Sequence, residues 1–209
     1  MADLFDLDFS RWDVFFMFFI PALINAGIFI YVFFFLSPNR TNYAFAVFVL
    51  LVGFWQAGDG CARLSVAGQT ALEWSRISGI FLLFALPFGV LFTLGFAGWR
   101  KNISNGIAFI TLFFPAIILS VFIAARLDKY SAIKSNTWYW VVNPESTVIT
   151  SMIYLWISLG ALLMLFLLWW HCAKTKMGEL KRKQSLLLSI GFTIPAIGGL
   201  IAEIIFPIV

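Results

Sequence analysis

Six stretches of this chain stay apolar over lengths close to the roughly 20 residues a helix needs to cross a bilayer, and that length constrains everything else. They run from about Asp13 to Leu36, Asn42 to Asp59, Arg76 to Trp99, Asn105 to Arg126, Ser146 to His171 and Gln184 to Ile208. In hydrocarbon every backbone N–H and C=O must find a partner within the protein, so only helices and closed barrels can span. The strand alternation of a barrel is absent. Of 209 residues, 62% are hydrophobic and 11% charged, against roughly 25% charged in soluble domains. The expected fold class is therefore all-α: a polytopic transmembrane helical bundle of six spans, with residues 1–209 as a single domain.

The first span follows Met1 to Arg11, which holds aspartates and lacks a basic n-region and a small-residue cleavage site. It reads as a retained helix and not a signal peptide. Orientation follows from the links. "SPNRTN", "RKNISN" and "CAKTKMGELKRKQ" hold Arg40, Arg100, Lys101, Lys174, Lys176, Lys181, Arg182 and Lys183 against one acid, Glu179. The positive-inside rule puts these links in the cytoplasm, with Lys181, Arg182 and Lys183 as an anchor. "GCARLSVAGQTALEWS" and "LDKYSAIKSNTWYWVVNPE" mix charges and fall outside, as do both termini after six crossings. The formal charge of +4 sits beside the spans, so no nucleic acid partner is expected.

Catalytic signatures are missing. There is no Walker loop, dinucleotide fingerprint, HExxH or GxSxG, and the single His171 cannot build a histidine metal site. Cys61 and Cys172 fall at opposite faces and are too far apart to pair. The chain is not expected to be an enzyme, and no metal or cofactor is expected, although the 25 phenylalanines suit bound lipid or pigment. Tryptophans at span ends (Trp12, Trp74, Trp99, Trp169, Trp170) read as interfacial anchors.

Polar residues within spans are costly and worth placing by depth. Asn25 lies about half way down the first span, one turn after Pro21, and Gln56 follows Trp55 in the outer third of the second. Ser151, Tyr154 and Ser158 share a face of the fifth. Glu203, 19 residues beyond Gln184 and so about 28 Å along a helix, comes near the outer surface. Asn25, Trp55, Gln56, Tyr154, Ser158 and Glu203 therefore outline an outward-opening ligand pocket; the competing account is interhelical hydrogen bonding, with Glu203 in the wet interface. Pro21, Pro87, Pro115 and Pro195 each remove a backbone donor inside a span and are candidate kinks or hinges. In the last span Ser185, Ser189, Thr193, Ala196 and Gly199 form a small-residue stripe suited to close packing.

With these residues in view, the chain resembles the N-terminal seven-helix membrane region of bacterial sensor histidine kinases and some diguanylate cyclases. The matching features are Asn25, "FW" at Phe54 and Trp55, "EWSRIS" from Glu73 to Ser78, Pro87, Pro115, "KRKQ" from Lys181 to Gln184 and "IP" at Ile194 and Pro195. The resemblance implies a membrane-embedded input module of the bacterial inner membrane, sensing a small lipophilic ligand or the state of the bilayer. It covers the first six helices only; the transmitter and the seventh span are absent, so output through contact with a membrane partner or a second copy is expected. The alternative is a structural subunit of a larger membrane complex. A small transporter fits less well, because residues 1–104 and 105–209 show no internal repeat.

Overall fold

The computed structural model describes residues 4, 6–99, 105–126, 130–135, 139–144, 148–176 and 180–200. Helix α1 spans Trp12–Phe35, α2 Arg40–Leu64, α3 Gly68–Phe96, α4 Asn105–Ala124, α5 Val148–Lys174 and α6 Leu180–Leu200. Helices α1, α2, α3, α4 and α5 are long and apolar enough to cross a membrane. Helix α6 opens on the charged Lys181, Arg182 and Lys183, and its expected continuation to Ile208 lies outside the described residues.

Two helices extend well beyond the expected spans. Counting apolar residues ends the second span at Asp59 and starts the third at Arg76, leaving a long mixed-charge link. Instead α2 runs to Leu64 and α3 begins at Gly68, so the link shrinks to Ser65, Val66 and Ala67. The helix tolerates these charges because they pair along its surface: Arg63 Nε lies 3.4 Å from Asp59 Oδ2 one turn away, and Arg76 lies 3.4 Å from Glu73 Oε1.

The bundle is all-helical as expected, with one local addition in the link between α4 and α5. There β1 (Tyr130–Ser135) and β2 (Tyr139–Pro144) form an antiparallel hairpin, with Tyr130 opposite Pro144 and Ser135 opposite Tyr139. Trp140, Val141 and Val142 have side chains that favour a pleated surface, and pairing supplies the backbone partners that a stretched link lacks.

Terminators are local. Asn39 Oδ1 accepts the Asn42 amide at 2.8 Å and caps α2 just after Pro38. Helix α3 ends where Gly98 takes φ 77°, a left-handed conformation that glycine adopts without strain.

Helix α3 is the hub: 56% of its apolar span is buried, against 6% for α1. It packs on α2, α4, α5 and the hairpin, while α1 packs on α2 and α6 on α5. Leu86, Val90 and Leu94 of α3 meet Met164 and Leu167 of α5 in one core cluster, which Phe48 of α2 and Phe192 of α6 join. Those two rings stand 5.6 Å apart, so α2, α3, α5 and α6 close into a ring. A second cluster joins Leu83 of α3, Ala116, Leu119 and Ile123 of α4, and Ile153 of α5. On α6, Ser185 and Ser189 are fully buried, and the Trp169 indole donates to Thr193 Oγ1 at 3.2 Å. Ser185, Ser189 and Thr193 of the small-residue stripe thus let α6 approach α5.

Candidate functional site

Two residues expected in the polar pocket meet directly. Asn25 Nδ2 donates to Gln56 Oε1 at 2.8 Å across the α1–α2 contact, with both side chains half-buried. Gly53, one turn before Gln56, makes this reach available: a Cβ there would stand 3.3 Å from the Ala22 carbonyl oxygen and 3.3 Å from Asn25 Cβ. The bare backbone of α2 lets α1 come close enough for a short asparagine side chain to bridge. Trp55 is half-buried beside Gln56.

The other pocket candidates are not gathered here. Ser151, Tyr154 and Ser158 do share a face of α5, but it is an exposed one, with Tyr154 40% exposed. Helix α5 packs on α3, α4 and α6, away from the Asn25–Gln56 pair. Glu203 lies outside the described residues. So do the side chains of Pro195 and Lys181, though both positions are helical within α6; Arg182 is half-buried and Lys183 exposed.

The prolines sit in different settings. Pro21 follows a wide π-helical turn, Phe15–Phe19, within α1. Having no N–H, it cannot serve the Met17 carbonyl, and a π-turn is a common way to absorb such a gap. The turn seats Phe18 and Phe19 against Gly60 of α2, and the Arg63 guanidinium lies 5.0 Å above the Phe18 ring. Pro87 is fully buried inside α3, and Pro115 lies half-buried inside α4; both helices continue through them.

A polar assembly that spacing alone did not single out gathers at the end holding the α2–α3 link. Glu73 Oε1 accepts from Gln69 at 3.0 Å, Arg76 at 3.4 Å and Arg126 at 2.8 Å. Arg126 stands just past α4 with φ 57°, so its bridge ties the end of α4 to the start of α3. The N-terminal segment joins the same assembly. The Asp8 amide donates to the Leu64 carbonyl at 2.8 Å, Val66 donates to the Asp6 carbonyl at 3.1 Å, and the Trp74 indole donates to the Leu4 carbonyl at 2.9 Å. The segment lies as a strap across the helix ends. The exposed Asp8 carboxyl is held below its ordinary 3.8 by bonds from the Ser10 hydroxyl and amide. Gln69, Glu73 and Arg76 at three- and four-residue spacing were the available signal for the α3 part; Arg126 and the strap are long-range partners that no spacing announces.

No curated protein and no solved structure matches the chain. A family model does, over residues 17–208, which takes in α1 from Met17 onward, all of α2 to α6, the hairpin and the Asn25–Gln56 pair. The chain belongs to the family of N-terminal seven-transmembrane regions of histidine kinases.

Proposed function

We propose that this chain is a non-catalytic sensory module of a bacterial inner membrane. The observation that carries the reading is the family match over residues 17–208, because a region that precedes a kinase in the membrane is placed to govern it. In this reading the chain crosses six times, with both termini outside and the basic Lys181, Arg182 and Lys183 anchored in the cytoplasm. Its stimulus is a small lipophilic or amphipathic molecule, or the state of the bilayer, entering from the outer leaflet. Asn25 and Gln56 are the polar groups best placed to answer it, since a ligand hydroxyl or carbonyl would compete for the hydrogen bond they share. Output passes by contact to a membrane partner or a second copy, with α1 pivoting at Pro21.

Two measurements test this. In intact cells, with Cys61 and Cys172 replaced by serine, a membrane-impermeant maleimide should label Ser10→Cys and spare Lys176→Cys; the opposite pattern inverts the orientation. Isolation from native membranes should yield a histidine kinase activity whose autophosphorylation changes when Asn25 is replaced by leucine. A stoichiometric assembly without any kinase, unaffected by that substitution, would favour the structural-subunit reading and end this one.

A further inference from the structure

Two buried polar atoms lack a hydrogen-bond partner among the described residues in one apolar junction. They are the indole nitrogen of Trp156 on α5 and the hydroxyl oxygen of Ser120 on α4. Ser120 is 8% exposed. It shares a helix face with Ala116 and Ile123 by its four- and three-residue spacing, and those two residues pack with Leu83, Leu119 and Ile153 in a core cluster. Trp156 packs against that cluster and also against the neighbouring one around Val90 and Met164. Both orphan atoms therefore belong to the meeting of α3, α4 and α5. A third polar group belongs to the same place. The carbonyl of the fully buried Leu83 would ordinarily receive the amide hydrogen four residues on, and that residue is Pro87, which has none.

A buried donor left unmatched costs about 1–3 kcal/mol, and in a bilayer the surrounding lipid offers no substitute partner. The chemistry of the three groups limits what satisfies them. An indole N–H only donates, a carbonyl only accepts, and a serine hydroxyl does both. The occupant must accept from Trp156 and offer a hydrogen in return, and a junction built on the buried side chains of Leu83, Ala116, Leu119, Ile123 and Ile153 favours a neutral group over an ion. We propose that the α3–α4–α5 junction is a binding site for one neutral hydroxyl oxygen, held between the Trp156 indole, the Ser120 hydroxyl and the Leu83 carbonyl. Water and the hydroxyl of a lipophilic alcohol share that chemistry. The site is separate from the Asn25–Gln56 pair and does not depend on the sensory reading.

Nuclear magnetic resonance of the full chain, labelled with nitrogen-15 tryptophan in micelles, tests it. The Trp156 indole signal is assigned by its loss in Trp156→Phe, or in Trp156→Tyr should the first variant fail to fold. A bound water gives cross-relaxation between that indole hydrogen and water, with no response to 1-octanol. A bound alcohol gives a downfield movement on adding 1-octanol and none on adding octane. In either case Ser120→Ala moves the signal. An indole hydrogen that neither cross-relaxes with water nor responds to octanol overturns the site, and so does a signal that Ser120→Ala leaves in place.

Discussion

The Asn25–Gln56 hydrogen bond joins α1 to the bundle by polar contact within the span, and its strength can be measured separately from the packing around it. The perturbation is a double-mutant cycle with Asn25→Leu and Gln56→Met, near-isosteric changes that keep the Asn25 Cβ against Gly53. Each single variant leaves a half-buried amide without its partner, at a cost of about 1 kcal/mol, the low end for an unmatched polar group because burial is incomplete. The double variant removes both amides, so it should lose less than the two singles added together. For one neutral side-chain bond at 2.8 Å between membrane helices, the coupling is expected at about 0.6 kcal/mol and at most about 1.7 kcal/mol. That corresponds to roughly a 3-fold to 20-fold non-additivity in the unfolding constant. Steric trapping in bicelles reads unfolding of all four proteins under one condition. Singles that add to the double within about 0.3 kcal/mol, the ordinary behaviour of independent sites, would refute the reasoning, because they would show that water or lipid already competes the bond away.

Three further outcomes are expected. Gly58→Ala should destabilise by about 1–3 kcal/mol, because its Cβ would stand 2.8 Å from Ser78 Cβ where α2 crosses α3; Gly27→Ala, with nothing within 4 Å, should be neutral or stabilising by up to about 1 kcal/mol, and the same unfolding assay compares them. Glu73→Gln should cost no more than about 1 kcal/mol, since the Arg126 side chain is 63% exposed; the loss should shrink further in high salt, and a larger, salt-independent loss would show that Glu73 acts in some other way. Asp8 titrates below 3.8 in the folded chain, so the folded state binds fewer protons there than the unfolded state. Its contribution to the strap is complete above 3.8 and is lost as the pH falls through the lower folded value. Hydrogen exchange at the Asp8 amide, corrected for its intrinsic rate, should rise as the pH falls below 3.8; in Asp8→Asn that rise should disappear.

What was legible in the residues follows from the range of the interactions involved. Apolar length is a local property, so the first helix, expected from Asp13 to Leu36, lies at Trp12–Phe35, and the fifth, expected from Ser146, begins at Val148. The ends of α2 and α3 were misplaced because Asp59, Arg63, Glu73 and Arg76 read as solvent residues until their pairing along the helix surface is seen. The hairpin was missed because the sequence between α4 and α5 reads only as a mixed-charge outer link, whereas strand pairing depends on register between two segments. Depth drew attention to Asn25 and Gln56, which the structure joins by a hydrogen bond. It could not separate Tyr154 and Ser158 from them, because depth fixes height in the bilayer and leaves open which way a helix face is turned.

The arrangement of contacts narrows how a signal can travel. Among the described residues, helix α1 is mostly exposed and packs chiefly on α2, through the Asn25–Gln56 bond, the Phe18 and Phe19 rings against Gly60, and the strap that crosses the α2–α3 link. A displacement of α1 therefore loads α2 first. From α2 it passes along the contact with α3, which is close at Gly58 and Ser78, and through the Phe48–Phe192 ring contact directly to α6. The second route is the shorter, and it runs through the cluster around Val90 and Met164 without entering the one around Leu83 and Leu119. Phe48→Ala should then weaken coupling between α1 and α6 more than an equally destabilising change in the α3–α4–α5 cluster, such as Leu119→Ala. If both variants reduce that coupling in proportion to lost stability alone, the ring contact is only packing and the α1–α6 route through it is refuted.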